Sequence, residues 1–554
     1  MVANFCERLF TAQFHHAGFA VKNLRDFQLT AGRRWASHQP PGPVPPPARA
    51  GSRLQYLASL DVRTPPTIVR RTGIVCTIGP ACDSLEAMSA LTSAGMTVAR
   101  LNMSHGSRAE HSERVRRLRR ACALCPDSPP LAVALDTRGP ELRTGTLHNQ
   151  DGSGSVRLVA GSSVRLTSDP HYRHRSCARH LYVDYSGLAG CVRPGDPIHL
   201  DDGLISLRVS AVDGDSVLCA VETGGELGSR KSVCVPGAAL SLPAVTEQDR
   251  EDLRLAAALP VDLVFASFVR DRDGVRQLRR ALGEDGRHIK IISKIESLEG
   301  LLNIDSIIAE SDGVMVARGD MGVELPPEKV FIAQKSIIAK CNMAGKPAIC
   351  ATQMMETMVT RPRPTRAELA DVANAVLDGA DCVMLSAETA SGAFPLETVR
   401  LMDKTCRQAE AVLDFEETLA DIRSQVCASD PELARAAEVV RHAREAGAAA
   451  ILVPPGEEDT ALQLARFRQP CPVIMMTSSE QTARQSRLQS GVVPFVLQDV
   501  PATGQSWISD NDTHRDVIQR ATDRVRSLGL VRSGDTIALT TTPDGHLQLQ
   551  LITV

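Results

Sequence analysis

The chain has 554 residues, which is too many for one hydrophobic core, so we expect three or four domains. Hydrophobic residues make up 43% of it, charged residues make up 23%, and the formal net charge is -3, so we expect a globular protein without a nucleic-acid or membrane partner. Among its 15 cysteines, Cys122 and Cys125 form a lone C-x-x-C with no second pair to complete a zinc site, so we expect reduced thiols in a cytoplasmic protein.

Residues 1–70 are predicted to be an N-terminal extension. They contain a proline-rich linker, PPGPVPPP (40–47), which is too stiff to join a helix or a central strand. The segment before the linker is basic and rich in Phe, as organelle transit peptides are, but Glu7 and Asp26 interrupt it. We therefore expect a partly disordered extension, with a transit peptide as the alternative.

Eight apolar, β-branched runs then alternate with segments of helical period. Such runs are typical of parallel strands that are buried on both faces. The runs are GIVCTIGP (73–80), MTVARLNMSH (96–105), LAVALDT (131–137), VDLVFASFV (261–269), IKIISKIE (289–296), GVMVARGD (313–320), KPAICATQ (346–353) and ADCVMLSAE (380–388). Eight alternating β/α units predict a TIM (β/α)8 barrel, which we assign to residues 71–139 and 244–415.

The barrel is interrupted after its third strand. About a hundred residues there contain short alternating runs, such as LISLRVSAV and SVLCAVE, separated by Gly, Asp and Ser. This pattern is typical of a small all-β domain. We assign residues 140–243 to an inserted β-barrel domain at the mouth of the barrel, where it could act as a lid.

The alternation resumes with new elements after residue 415. The runs AAAILVPP, PVIMMTS, VVPFVLQD and DTIALTTTP are predicted to be strands, and segments of helical period lie between them. Residues 416–554 are therefore predicted to form an open α/β domain.

Polar residues collect at the carboxyl ends of the eight predicted barrel strands. TIM-barrel enzymes place the active site at this rim, although polar residues also become tolerable wherever a buried strand ends. The rim residues singled out are Arg100, Asn102, Ser104, His105, Asp136, Thr137, Lys294, Glu296, Arg318, Gly319, Asp320, Thr352, Gln353, Ser386 and Glu388. A lysine, an arginine and several acids at one mouth favour a catalytic site.

Lys294, Glu296 and Asp320 predict a metal site. Lys294 and Glu296 are two residues apart on a strand, so they share a face, and Asp320 follows the next strand. Two carboxylates with substrate oxygens and water are the usual ligands of Mg²⁺. The alternative is that Lys294 and Glu296 merely form an ion pair, which adds little stability when buried.

A second cluster offers four oxygen ligands, one of them anionic. It consists of Asn102, Ser104, Asp136 and Thr137, which suit a weakly bound monovalent cation better than zinc. Gly319 and Asp320 precede a segment that turns helical, where free backbone N–H groups can bind a carboxylate. An ordinary turn with Asp320 as N-cap is an equally good interpretation.

Several segments resemble the pyruvate kinase family, in the same order along the chain. They are RRTGIVCTIGPA (70–81), ARLNMSHG (99–106), ALDTRGPELRTG (134–145), DDGLIS (201–206), IISKIE (291–296), MVARGDMGVE (315–324), ICATQMMETM (349–358) and PRPTRAE (362–368). The resemblance is dense in the barrel and thin after residue 420. It implies an enzyme that uses Mg²⁺ and K⁺ to transfer a phosphoryl group from phosphoenolpyruvate to ADP.

The resemblance also implies roles for individual positions. The implied Mg²⁺ ligands are Glu296 and Asp320. The implied K⁺ ligands are Asn102, Ser104, Asp136 and Thr137, and Glu141 is the residue type associated with K⁺ dependence. The implied substrate contacts are Arg100, Lys294, Ala317, Gly319, Asp320 and Thr352. The implied nucleotide contacts are Thr77, Pro80, Arg100, Asn102, His105, Arg143 and Lys231.

The implied reaction has two steps. ADP attacks the phosphorus while Lys294 stabilises the charge, and the enolate that leaves is then protonated by water or by a relay near Thr352 and Glu388. Members of the family form homotetramers, and we carry this state over as an expectation.

The C-terminal region departs from the regulated animal members of the family. Those members carry a Ser/Thr/Lys-rich phosphate loop, whereas this chain has VPPGEEDT (453–460), whose acids would repel a sugar phosphate. The later glycine-rich loop is replaced by TTPDGH (541–546). We therefore expect that activation by a sugar bisphosphate is lost or altered.

Two other functions are compatible with parts of the sequence. Other TIM barrels that bind phosphoenolpyruvate or pyruvate, such as aldolases, share the acidic metal pair, but they lack the inserted β domain and the second cation cluster. A catalytically silent paralogue acting as a regulatory subunit is the other alternative. A catalytically silent protein would not need the full set of site residues, which the chain retains: Lys294, Glu296, Asp320, Arg100 and Thr352.

Overall fold

The computed structural model describes residues 52–124, 129–148, 154–238, 240–426, 430–497, 512–541 and 547–554. The chain divides into two compact units, Met1–Thr64 and Pro65–Val554. In the first unit the described part contains α1 (Arg53–Ala58), whose N-cap Ser52 accepts a hydrogen bond from the Gln55 amide. The proline-rich linker, Cys125 and the 542–546 loop lie outside the described residues. Within the described part of the chain, no helix is both long and apolar enough to cross a bilayer.

The second unit begins with three strands and two helices of the barrel. In chain order they are β1 (Gly73–Thr77), α2 (Leu85–Ala94), β2 (Val98–Asn102), α3 (Arg108–Ala123) and β3 (Ala132–Asp136). The α3 helix starts with a capping box, in which Ser107 and Glu110 each bond to the other's backbone amide. Such a box satisfies two amides that a helix start would otherwise leave unpaired.

The insertion after β3 folds as β-sheet, as predicted. Its elements are β4 (Leu142–Arg143), β5 (Ser155–Leu158), β6 (Ser163–Thr167), β7 (His180–Tyr182), α4 (Leu188–Cys191), β8 (Pro197–Leu200), β9 (Ile205–Asp213), β10 (Ser216–Thr223), β11 (Gly225–Gly228) and β12 (Ser232–Cys234), with a 3₁₀ turn at Pro170–Tyr172. Seven strands form one sheet in the order β4-β12-β8-β9-β10-β6-β7, and β5 pairs with β11. Alternate residues of β9 (Ile205, Leu207 and Val209) are buried, as a sheet with one face in the core requires.

The barrel continues after the insertion. In chain order its elements are α5 (Glu247–Ala258), β13 (Leu263–Ala266), α6 (Arg272–Leu282), β14 (Lys290–Ile295), α7 (Leu298–Leu302), α8 (Ile304–Glu310), β15 (Gly313–Ala317), α9 (Arg318–Glu324), α10 (Val330–Ala344), β16 (Ala348–Ala351), α11 (Arg366–Leu377), β17 (Cys382–Leu385), α12 (Ala387–Ala390) and α13 (Pro395–Glu410). Two 3₁₀ turns occupy Pro327–Lys329 and Glu356–Val359.

The eight barrel strands close into one parallel ring, which confirms the predicted fold class. Their order is β1-β17-β16-β15-β14-β13-β3-β2. The eight apolar runs match these strands because each strand is buried on both faces, by the ring's interior on one side and by helices on the other. All carboxyl ends therefore meet at one rim.

The C-terminal domain is an open α/β sheet. Its elements are α14 (Phe415–Val426), α15 (Pro431–Glu445), β18 (Ile451–Val453), α16 (Glu458–Ala465), β19 (Val473–Thr477), α17 (Glu480–Gln485), a 3₁₀ turn (Ser486–Leu488), β20 (Val492–Val496), α18 (Asp512–Ser527), β21 (Thr536–Thr541) and β22 (Gln548–Thr553). The sheet order is β20-β19-β18-β21-β22, and only its β21–β22 pair is antiparallel among the described strands. The last strand, β22, was not predicted.

A buried aspartate connects the C-terminal domain with the base of the barrel. Asp262 precedes β13 and is fully buried. Its Oδ1 accepts a hydrogen bond from Arg484 Nε of α17 at 2.8 Å, and its Oδ2 accepts one from Arg119 of α3 at 2.8 Å. One carboxylate therefore joins α17 and α3 to the start of a barrel strand.

Candidate active site at the barrel rim

Lys294 lies at the barrel rim, near the carboxyl end of β14. Its Nζ lies 3.0 Å from Glu296 Oε1 and 3.2 Å from Asp136 Oδ1, and it donates a hydrogen bond to Ser267 Oγ at 2.7 Å. Burial by itself lowers the pKa of this lysine, but Asp136 and Glu296 outweigh the effect and raise the pKa above its usual value. The ammonium is thus held in its charged form at a site shielded from water.

Glu296 comes directly after β14 and contacts Lys294, as the two-residue spacing predicts. Its Oε2 accepts a hydrogen bond from the Phe268 amide at 2.5 Å, and Phe268 has a φ of +54°. Its Oε1 is buried and makes no hydrogen bond to any described group, and its contact with Lys294 is an ion pair. Burial raises the pKa of Glu296 to about 8, with Asp320 adding to the rise and Lys294 opposing it. Lys294 alone therefore does not supply enough positive charge to keep the Glu296 carboxylate in its ionised form.

Asp320 faces the same region from α9, which follows the next barrel strand. Together with Glu141 it lines a cavity of about 280 Å³ between the inserted sheet and the barrel rim. The negative charge of Asp320 also raises the pKa of Glu141, although burial contributes more. An orphaned buried carboxylate oxygen and a second acid beside it are the donor set that a hard divalent cation takes, so these residues fit such an ion.

Arg100 and Asp136 form a buried ion pair on neighbouring strands. Arg100 Nε lies 2.5 Å from Asp136 Oδ2, and Arg100 also donates a hydrogen bond to Thr77 Oγ1 at 2.9 Å. Burial tends to raise the pKa of Asp136, but Arg100 and Lys294 lower it below its ordinary value. Asp136 therefore stays ionised and holds the side chains of both Arg100 and Lys294 in place.

The four predicted ligands of the monovalent cation lie at the ends of adjacent strands. Asn102 and Asp136 are partners in the β2–β3 register, and Ser104 and Thr137 follow them. The Ser104 amide donates to Asn102 Oδ1 at 3.0 Å. The cluster supplies an amide oxygen, two hydroxyls and a carboxylate already shared by Arg100 and Lys294. An oxygen set of this kind fits a weakly bound monovalent cation.

Thr352 and Gly319 meet at close range. A Cβ built on Gly319 would lie 2.9 Å from Thr352 Cγ2, so only glycine allows this approach without displacement. Thr352 and Gln353 have φ angles of +75° and +54°, which are unfavourable for residues with side chains. Arg318, which donates a hydrogen bond to the Thr352 carbonyl at 2.6 Å, helps to hold this turn. Ala317, the last residue of β15, directly precedes Arg318.

Glu388 is buried and bound to the backbone. Its Oε1 accepts a hydrogen bond from the Met355 amide at 3.2 Å, and its Oε2 accepts one from the Ser386 amide at 2.6 Å. These contacts hold the loops after β16 and β17 together. Among the described hydrogen bonds, none joins Glu388 to Thr352, so the predicted proton relay between them has no direct contact.

The predicted nucleotide residues are more scattered. His105 and Pro80 are exposed on the loops after β2 and β1. In the inserted domain, Lys231 pairs with Asp201 at 2.8 Å, and Arg143 pairs with Glu141 at 2.5 Å. No described hydrogen bond or ion pair joins either side chain to Lys294.

Ser267 is a site residue that the sequence did not reveal. It follows β13, and its hydroxyl also contacts Asp136 Oδ1 at 3.2 Å and donates to the Thr137 carbonyl at 2.6 Å. A serine at the end of an apolar run carries no charge signal. Only the ring topology, which makes β13 the neighbour of both β3 and β14, could have indicated it.

Two family models match the chain. The model of the pyruvate kinase barrel domain matches residues 69–399, and the model of the pyruvate kinase alpha/beta domain matches residues 434–547.

Individual relatives agree with these matches. Pyruvate kinase PKLR of Homo sapiens is 46% identical over 501 residues, which cover 90% of this chain and 86% of that protein. Pyruvate kinase of Hypocrea jecorina is 41% identical over 497 residues, or 88% of this chain and 90% of that protein. Pyruvate kinase 1 of Trypanosoma brucei brucei is 44% identical over 456 residues, or 82% of this chain and 90% of that protein.

Proposed function

We infer the function from one premise: the chain belongs to the pyruvate kinase family, whose two domain models match residues 69–399 and 434–547. We propose that it transfers a phosphoryl group from phosphoenolpyruvate to ADP, giving pyruvate and ATP, the last step of glycolysis. The observation that carries this proposal is the buried, charged ammonium of Lys294, held by two carboxylates and a hydroxyl at the barrel rim. Phosphoryl transfer depends mainly on such positioned charge.

Glu296 and Asp320 are proposed to hold Mg²⁺. The support is the orphaned Oε1 of Glu296 and the charge of Asp320, which together call for a hard cation. A divalent cation held by these two residues would supply positive charge to the phosphoryl oxygens, and the Lys294 ammonium, 3.0 Å from Glu296 Oε1, would add to it. K⁺ is proposed for the Asn102, Ser104, Asp136 and Thr137 cluster, because its members supply oxygen donors at the ends of two adjacent strands.

We propose that the reaction begins with phosphoryl transfer. An oxygen of ADP attacks phosphorus, the bond from phosphorus to the enol oxygen breaks, and the enolate leaves. Arg100 and Lys294 would stabilise the charge as it spreads. The backbone at Ala317, Gly319 and Asp320 and the Thr352 hydroxyl are proposed to hold the substrate carboxylate.

The enolate carbon finally takes a proton. We propose that water delivers it near Thr352, with Glu388 acting through the loops that it holds. Thr77, Pro80, His105, Arg143 and Lys231, with Arg100 and Asn102, are proposed to contact the nucleotide. A homotetramer and a cytoplasmic location are carried over from the family as proposals.

A coupled assay tests the function directly. Purified protein should form ATP from phosphoenolpyruvate and ADP when Mg²⁺ and K⁺ are both present. Omitting Mg²⁺ should abolish the rate, and replacing K⁺ with a bulky organic cation should reduce it. Folded protein that makes no ATP under these conditions would instead support a silent paralogue.

A further inference from the structure

The inserted domain is joined to the barrel by two short segments, and both lie against one loop. We call them the entry segment (residues 137–141) and the exit segment (residues 240–243), and we call the loop, which follows β13, the rim loop (residues 267–270). In the entry segment, a Cβ built on Gly139 would lie 2.9 Å from both Cβ and the carbonyl oxygen of Ser267. The entry segment therefore packs against the rim loop as closely as glycine allows.

The last residue of the rim loop, Arg270, holds the exit segment. Its Nη1 donates a hydrogen bond to the Leu240 carbonyl at 2.9 Å, and its Nη2 donates one to the Leu242 carbonyl. Between these two carbonyls, the Ser241 amide donates to the Tyr185 hydroxyl of the inserted domain at 3.1 Å. The exit segment is therefore bonded to the barrel on one side and to the insertion on the other.

The shape of the Arg270 side chain matches the turn that it binds. The Leu242 amide donates to the Leu240 carbonyl at 2.9 Å, so the exit segment is a tight turn. A guanidinium presents its donors in a planar, fixed fork, which can bond to two carbonyls of one turn at the same time. Arg270 forms no ion pair with any described residue, so its donors hold the exit segment and do not neutralise a carboxylate.

The rim loop also holds two residues of the proposed active site. The Ser267 hydroxyl accepts a hydrogen bond from the Lys294 ammonium at 2.7 Å, and the Phe268 amide donates to Glu296 Oε2 at 2.5 Å. Arg270 follows within the same short loop. The position of the exit segment and the positions of the lysine and the glutamate therefore depend on one another.

We propose that Arg270 is a positioning residue that couples the placement of the inserted domain to the alignment of Lys294 and Glu296. This inference rests on the proposed phosphoryl transfer, for which the lysine and the glutamate supply and organise charge. When the inserted domain moves, the exit segment shifts Arg270, and the rim loop passes the shift to the Ser267 and Phe268 contacts. Closure of the insertion and alignment of the reacting groups are thereby one event.

Hydrogen exchange of the full chain, measured by mass spectrometry without substrates or metal, tests the coupling. Arg270→Met keeps an unbranched apolar side chain but removes every donor, so the amides of Ser241 and Phe268 should both exchange at least about fivefold faster. Arg279→Met is the matched control, because Arg279 is also half-buried and donates to a backbone carbonyl, that of Glu310, outside the three segments. In the control both amides should exchange at the wild-type rate.

Kinetics distinguish a forked donor from a simple positive charge. Arg270→Met should lower kcat about tenfold, because Lys294 and Glu296 lose their alignment. Arg270→Lys keeps the charge but cannot bond to both carbonyls with the same fixed fork, so it should recover only part of the loss. The lysine variant also carries the exchange test, with a smaller rise at both amides, if the methionine variant does not fold.

Two results would overturn the proposal. One is an unchanged exchange rate at Phe268 in the Arg270 variants, even if Ser241 exchanges faster, since the rim loop would then not follow the exit segment. The other is full recovery of kcat by Arg270→Lys, which would assign the residue a role through charge alone. A wild-type chain that makes no ATP would refute the proposed function, whereas the exchange rates, measured without turnover, decide the coupling by themselves.

Discussion

The hydroxyl of Ser267 accepts a hydrogen bond from the ammonium of Lys294 at 2.7 Å, reaching it from the neighbouring barrel strand. The same hydroxyl donates to the Thr137 carbonyl at 2.6 Å. Ser267 therefore fixes the position of the lysine relative to β3, where the proposed monovalent cation cluster lies.

Removing this hydroxyl should slow catalysis. In Ser267→Ala, Lys294 loses one of its three partners, and we expect kcat to fall about tenfold while the protein stays folded. Coupled-assay kinetics and thermal unfolding check this. Ser293→Ala is the control, because Ser293 is equally buried on β14 but bonds only to Ser311 among the described side chains. A normal kcat in Ser267→Ala would show that the lysine needs no such support.

Lys294→Met should remove nearly all phosphoryl transfer. The methionine keeps the volume of the side chain but loses the charge that stabilises the transferred group, so kcat should fall on the order of 10²–10³-fold or more. Lys290→Met is the matched control, since Lys290 lies on the same strand, and burial lowers its pKa. Comparable losses in the two variants would point to damage to β14 and contradict the proposed role.

Glu296→Gln should weaken binding of the divalent cation. The substitution keeps the Phe268 contact through an oxygen but removes the negative charge, so the Mg²⁺ concentration for half-maximal rate should rise by about tenfold or more. Direct binding of Mn²⁺, followed by its paramagnetic signal, gives a readout that does not depend on turnover. Glu328→Gln, at an exposed acid, should change neither quantity. Unaltered Mn²⁺ affinity in Glu296→Gln would exclude this carboxylate as a ligand.

Gly319→Ala should impair substrate binding. The new methyl group would lie 2.9 Å from Thr352 Cγ2 and push the threonine away, so KM for phosphoenolpyruvate should rise about tenfold. Gly322→Ala on the same helix is the control, because its nearest neighbour, Val330 Cγ2, is 3.8 Å away. If both variants bind substrate normally, the Gly319–Thr352 contact does not shape the substrate site.

Fructose 1,6-bisphosphate should leave the rate curve unchanged. Glu457, Glu458 and Asp459 stand at the start of α16, where they would repel a phosphate group. Initial rates against phosphoenolpyruvate, with and without micromolar bisphosphate, check the expectation. A sigmoidal curve that becomes hyperbolic on addition would contradict it.

Burial explains why the barrel could be predicted and parts of the inserted domain could not. The eight barrel strands are apolar on both faces, so each leaves a continuous run in the sequence. In contrast, β4, β11 and β12 contain two to four residues each, which is too short for any period to be recognised. The exposed edge strand β22 (QLQLIT) does alternate, and its pattern could have been found. The domain boundaries stay predictions.

The candidate site was predictable where charge marks it. Lys294 and Glu296 were found because the strand period places them on one face, and the ion pair considered as an alternative is also present. Ser267 and the positive φ of Thr352 leave no trace in a single sequence, since both depend on which strands become neighbours. The assigned roles of these residues stay proposals until the variants are measured.

Asp262 and Ser267 stand at opposite ends of the same short strand, β13. The five residue-to-residue steps from Asp262 to Ser267 span roughly 16 Å, and an extended strand cannot lengthen further. A shift of Arg484, which bonds to Asp262, would therefore also move the Ser267 hydroxyl that bonds to Lys294. One barrel strand thus links α17 of the C-terminal domain with the serine that bonds to Lys294, so a displacement of α17 would be transmitted along β13 to the barrel rim.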